Sequence, residues 1–169
     1  MSVDWAEVYR STYQDLVRFL YRKVWDADRA QDLAQESFVR ALDHAPDNPR
    51  AWLFTVASNL ARDEARTGIR RRQHLTLLRD DADVAPSRPP EPDRQVEDAE
   101  RRDAVRRALE CLTDRDREAL LLWDAGLDYE EIARQTGIAV GSVGTTLARA
   151  RRRLVEAHAA LEGSHVARG

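Results

Sequence analysis

Apolar side chains recur at intervals of three and four along most of the chain, the spacing that lines one face of a helix. Trp5, Val8, Tyr9, Tyr13, Leu16, Val17, Leu20, Tyr21 and Val24 draw a first stripe. Leu33, Ala34, Phe38, Ala41 and Leu42 draw a second within residues 28–42. A third helix opens with Asn48 as N-cap and Pro49 at the first helical position, and runs through Trp52, Leu53, Val56 and Leu60 towards Ile69. No glycine precedes Gly68, which favours long uninterrupted helices. Further on, Val105, Ala108, Leu109 and Leu112 mark an amphipathic helix over residues 96–112. Thr113 with Asp116, and Asp128 with Glu131, have the spacing of capping boxes, although Asp is a weaker partner than Glu at the fourth place. Gly126 and Gly137 stand where helices should stop. The pattern predicts an all-α chain.

The stretch DVAPSRPPEPD interrupts this pattern. Four of the six prolines fall between Pro86 and Pro92. Proline fixes φ, removes a donor and turns its predecessor away from helix, so the stretch cannot be a helix interior. It also lacks apolar residues to pack. Residues 79–95 are therefore expected to be an acidic, extended, partly stiff linker between two small helical domains, 1–78 and 96–162, with a tail over 163–169. An ordered loop tied onto one domain is the alternative.

Charge refines this division. The 169 residues carry 27 basic and 30 acidic side chains, a net charge of −3. Residues 1–78 hold 12 basic and 11 acidic residues, 79–103 hold 5 and 9, and 104–169 hold 10 and 10. The deficit thus belongs to the linker region, and the two ends are not acidic. No apolar run approaches the roughly 18 residues that cross a bilayer. The N-terminal MSVDWAEVYR has neither the basic nor the apolar block of a secretory signal. The expected setting is the cytoplasm, with no membrane insertion by this chain. One cysteine, Cys111, excludes an internal disulfide, and with four histidines it argues against a structural zinc site. Cys111 is expected on an apolar helix face as a small core residue.

Three constellations carry candidate chemistry. Asp28, Asp32 and Glu36 are spaced i, i+4, i+8 on one face, with Gln35 beside them. Like charges so placed destabilise a helix by roughly 0.2–0.5 kcal/mol per pair, unless the helix dipole relieves Asp28 and Arg40 pairs with Glu36. Either this is a solvated face or it is a docking strip for a basic partner. Arg62, Arg66 and Arg70 repeat the same register, followed by Arg71 and Arg72, with Asn59 one turn earlier and Trp52 and Phe54 upstream. Cations for phosphates beside aromatic faces suit single-stranded nucleic acid. The alternative is core aromatics with solubilising arginines.

The third constellation lies in YEEIARQTGIAVGSVGTTLARARRRL. Ile132 and Ala133 form a short apolar face, Gly137 breaks the helix, Ile138 bridges the turn, and Val143, Leu147, Ala150 and Leu154 restart the stripe. This describes a helix-turn-helix. An ordinary pair of helices is the alternative. Its second helix would present Gly141, Ser142, Thr145 and Thr146 to a major groove, with Arg149, Arg151, Arg152 and Arg153 towards flanking phosphates. Catalytic motifs are lacking. The chain has no Gly-rich phosphate loop, nucleophile elbow or HExxH, and His44, His74, His158 and His165 are scattered. No cofactor or metal is expected, and the chain is not expected to be an enzyme.

DRAQDLAQESFVRAL, PRAWLFTVASNLARDEAR and LTDRDREALLLWDAGLDYEEIARQTGIAVGSVGTTLARARRRL together resemble the blocks of extracytoplasmic-function (ECF) sigma factors of bacterial RNA polymerase. The resemblance spans nearly everything outside the linker and the last residues. It implies a helical bundle (sigma region 2) followed by a helix-turn-helix domain (sigma region 4). It implies that Asp28, Asp32, Gln35 and Glu36 dock on the clamp of the largest subunit of core RNA polymerase. It further implies that Asp47, Asn48, Trp52, Asn59, Arg62, Asp63, Arg66 and Arg70 melt the minus-ten element of promoter DNA and hold a flipped base. Ser142, Thr145, Thr146, Arg149, Arg152 and Arg153 would read the minus-thirty-five duplex. An anti-sigma factor that clamps or separates the halves is the implied regulator, and the linker would thread towards the RNA exit region.

Two departures bear on readout. The family usually carries basic residues where this chain has Gly144 and Thr146, which should soften or redirect recognition at roughly 1–3 kcal/mol per good bidentate contact. Ala139 replaces a Ser or Thr cap, at about 1 kcal/mol of helix start. With the sequence ending soon after Leu161, the further C-terminal domain of some relatives is not expected. The rival reading is a stand-alone helix-turn-helix regulator whose first half binds a ligand or dimerises.

Overall fold

The computed structural model describes residues 2–78 and 93–166. Among the described residues seven helices form and no strand does. Residues 1–84 and 85–169 are separate compact units.

The first unit holds α1 (Trp5–Val24), α2 (Ala27–Ala41) and α3 (Pro49–Leu78), each packed on the other two. Local chemistry fixes the helix starts. Asp4 Oδ1 accepts from the amides of Ala6 and Glu7, Asp26 Oδ1 from that of Arg29, and Asn48 Oδ1 from that of Ala51. α1 ends on Trp25, a non-glycine residue at φ 56°, whose amide donates to the Tyr21 carbonyl at 2.7 Å. The Trp25 ring packs against Tyr21, which holds the bulky residue in this conformation. Leu16, Phe19, Leu20, Leu33, Leu53 and Phe54 fill the core. Phe19 joins it through an edge contact with Phe54, whereas Tyr9 and Leu42, expected on the apolar stripes, are exposed.

The second unit holds α4 (Asp93–Glu110), α5 (Asp114–Asp124), α6 (Tyr129–Thr136) and α7 (Val140–Val166), with α7 packed on the other three. Leu109, Leu122, Leu127, Ile132, Val143 and Leu147 are buried. Helix α4 begins at Asp93, inside the span expected to be linker, because Gln, Glu, Ala and Arg favour helix without an apolar stripe to announce it. Helix α7 likewise continues through Gly163 to Val166, within the expected tail. Residues 79–92, the rest of that linker, lie outside the described residues. Gly126 and Gly137 stop α5 and α6 at φ 87° and 72°. Cys111 is exposed rather than in the core: α4 ends just before it, and its thiol donates to the Arg107 carbonyl.

Candidate functional site

The acidic strip of α2 is exposed but not bare. Asp28 and Gln35 face solvent. Arg29 Nη1 stands 3.7 Å from Asp32, and Arg40 Nη2 donates to Glu36 at 2.6 Å. Arg29 also bonds Glu64 of α3 through Nε, tying the strip to the neighbouring helix. That bond raises the Arg29 guanidinium above its ordinary value; desolvation lowers it, and the charges of Glu64, Asp32 and Glu36 raise it again. The strip therefore stays negative in total while its side chains are partly oriented.

On α3, Asn59, Arg62, Asp63, Arg66 and Arg70 are all exposed, at spacings that place them along one broad face. From Trp52 to Arg70 this row spans about 27 Å at 1.5 Å per residue. Arg62 Nη1 donates to the Asn59 amide oxygen at 3.2 Å. The side chains of Arg71 and Arg72 lie outside the described set. Trp52 is half-buried, 4.9 Å from the His44 ring and 6.3 Å from Trp5, and the Trp5 indole donates to the His44 carbonyl at 3.2 Å. This cluster pins the loop that carries exposed Asp47 and Asn48, although Asn48 already caps α3. Phe54 is not beside the arginines as an available π-face. It is fully buried, with Arg50 over its ring and reaching Asp15 of α1 at 3.1 Å.

In the second unit, α6 and α7 meet at Gly137 as expected of a helix-turn-helix. The Asp128–Glu131 capping box is complete: the Glu131 amide donates to Asp128 at 2.9 Å, and the Asp128 amide to Glu131 at 2.8 Å. At the start of α7 the Ser142 amide donates to the Ala139 carbonyl at 2.8 Å. Gly141, Ser142, Thr145, Arg151 and Arg152 are exposed on α7. Thr146 is not. It is 6% exposed and faces the core between Val143 and Ala150, so it is removed from the residues that could touch a groove. Arg149 and Arg153 are only half free, since Asp116 of α5 holds them at 3.0 and 3.5 Å. Gly144 lies under a phenol: a Cβ added there would meet Tyr129 Oη at 3.4 Å.

Two sequence blocks thus carry three charged surfaces, and comparison with known proteins fits both. Residues 8–73 match the family model described as Sigma-70 region 2, and residues 102–154 that described as Sigma-70, region 4. The ECF RNA polymerase sigma factor EcfG of Rhodopseudomonas palustris is 38% identical over 135 residues, 76% of this chain and 71% of that protein. The chain belongs to the ECF sigma factors of RNA polymerase. The ECF sigma factor SigE of Mycolicibacterium smegmatis is 31% identical over 155 residues, covering 89% of this chain but 60% of that protein. Among solved structures, the sigma factor RpoE of Bartonella quintana, in complex with the anti-sigma factor NepR, superposes with a TM-score of 0.65. It is 26% identical and matches 91% of this chain and 96% of that one.

Within this ECF sigma factor, region 2 contains the α2 strip and the α3 row, and region 4 contains the helix-turn-helix. Sequence reasoning missed the supports of these surfaces. Trp5 reads as one more member of a stripe, His44 as an isolated histidine, and Asp116 as a capping residue. Among the described residues no group of His, Cys, Asp and Glu could hold a metal ion, and no helix is long and apolar enough to cross a membrane.

Proposed function

We propose that this sigma factor binds core RNA polymerase through the α2 strip and directs initiation at promoters that its two DNA-facing surfaces select. Asp28, Asp32, Gln35 and Glu36 would meet a basic surface on the clamp of the largest subunit. Asp47, Trp52, Asn59, Arg62, Asp63, Arg66 and Arg70 would grip the unwound minus-ten strand, with the half-exposed Trp52 edge beside a captured base. Asn48 sets the entry of α3 and lends its exposed edge. Ser142, Thr145 and Arg152 would read or grip the minus-thirty-five duplex, with Arg149 and Arg153 beside them. The chain supplies position and charge, and the polymerase supplies the chemistry.

The observation that carries this reading is the pairing, in one chain, of a region 2 whose charged rows are exposed with a region 4 whose helix-turn-helix is intact. A stand-alone regulator would need no region 2. Duplex binding positions the complex, while base capture offsets the few kcal/mol needed to unstack a step. An anti-sigma factor is the fitting regulator, by analogy with the NepR complex of the Bartonella quintana protein. Cytoplasmic placement follows from the partner. Affinity purification with purified core polymerase tests the reading: stoichiometric capture of core enzyme supports it, and a folded chain that leaves core enzyme unbound overturns it.

A further inference from the structure

The helix-turn-helix unit contains a buried carboxylate beneath two of its arginines. Asp116 lies in the first turn of α5 and is 3% exposed. Its amide donates to Thr113 Oγ1 at 3.2 Å, but its side chain does not return the bond as a capping box would. Instead Oδ1 accepts from Arg149 Nη2 at 3.0 Å. Oδ2 stands 3.5 Å from Arg153 Nη1 and receives no hydrogen bond. Arg149 and Arg153 are one turn apart on α7, each nearly half exposed, at 43% and 49%. Both cations therefore rest on one anion on their buried side and show their remaining N–H donors to solvent. A guanidinium has five such donors, so a bond to Asp116 leaves several for a nucleic acid.

Two consequences follow from elementary electrostatics. The carboxylate is withdrawn from the ionic atmosphere, so salt screens it far less than it screens the exposed phosphate attraction of the arginines. It also cancels about one of the two positive charges that α7 would otherwise turn on any duplex, whatever its sequence. We infer that Asp116 sets the specificity of the duplex-reading surface: it is a buried counter-charge that orients Arg149 and Arg153 and limits their sequence-blind pull on phosphates. This rests on the proposal that α7 lies on DNA. Asp116 is a positioning residue, because it acts through the arginines and is itself out of reach.

The test uses the full chain and a short mixed-sequence duplex, with affinity followed from 50 to 200 mM salt. Asp116→Asn should bind this duplex more tightly than the parent chain, with a salt slope steeper by about 0.9, which is about 3.5-fold more affinity lost across that range. A merely structural Asp116 gives the opposite result, weaker binding and a shallower slope. The double variant D116N/R153Q removes one charge of each sign and relieves the unpaired cation. It should fold, by a cooperative thermal melt, and show the parent slope even if Asp116→Asn alone does not fold. A double-variant slope flatter by about 0.9, the loss expected of an unopposed phosphate-binding cation, overturns the inference. Arg152→Gln separates this result from failure of the underlying reading. If the parent chain ignores the duplex, or Arg152→Gln leaves its binding unchanged, α7 is not a duplex reader and the role given to Asp116 falls with it.

Discussion

Reversing Asp32 to arginine separates folding from docking, because the structure gives the two effects different sizes. The Asp32 side chain is 65% exposed, and its ion-pair partner Arg29 Nη1 is 3.7 Å away and more tightly engaged by Glu64. Losing such a pair costs about 0.2–1 kcal/mol. A new cation next to Arg29 adds a few tenths, and relief of the Asp28–Asp32–Glu36 repulsion returns a similar amount. The net folding change is within about 1 kcal/mol, a shift of at most about 4–8 °C in the melting midpoint of a unit this size. Docking is different. A carboxylate that becomes covered against a basic partner surface is worth about 2–5 kcal/mol when its pairing is broken, and reversal adds repulsion. The low end alone is roughly a 30-fold loss in affinity. Competition of Asp32→Arg against labelled parent chain for core polymerase, beside a melt of each, measures both. A variant that melts normally and competes within two-fold of the parent would remove the α2 strip from the docking surface.

Other expectations follow from burial. Phe54→Ala should destabilise the first unit by about 3–5 kcal/mol, readable by urea titration, since Phe54 is fully buried between Phe19 and Arg50. Arg66→Ala should leave that titration unchanged within about 0.5 kcal/mol and lower open-complex yield, measured by permanganate footprinting, because Arg66 is exposed on the α3 row. Gly137→Ala should cost the second unit about 1–2 kcal/mol, seen as a lower melting midpoint, because φ is 72° there. Arg152→Ala should weaken duplex affinity evenly across sequences and flatten its salt slope by about 0.9, measured by fluorescence anisotropy.

What sequence alone could reveal was governed by the range of each interaction. The start of α3 at Asn48–Pro49, the stops at Gly126 and Gly137, and the Asp128–Glu131 box are all local, and each stands where spacing placed it. The α2 and α3 charge rows are visible for the same reason, because helical register alone puts them in line. Tertiary choices are not written in register. Asp116 has the same i, i+3 spacing to Thr113 as a cap, yet its carboxylate goes to arginines 33 and 37 residues away. Thr146 belongs to a polar run at the start of a recognition helix, yet its position between Val143 and Ala150 turns it inward. Phe54 beside a basic stretch has the composition of a nucleic-acid site, and only packing against Phe19 reveals it as core.

The most direct test of the account is run-off transcription by core polymerase with and without this chain, on a pool of fragments from the source genome. Defined start sites should appear only when the chain is added and vanish with Asp32→Arg. A folded chain that leaves core polymerase without promoter-dependent starts would contradict it.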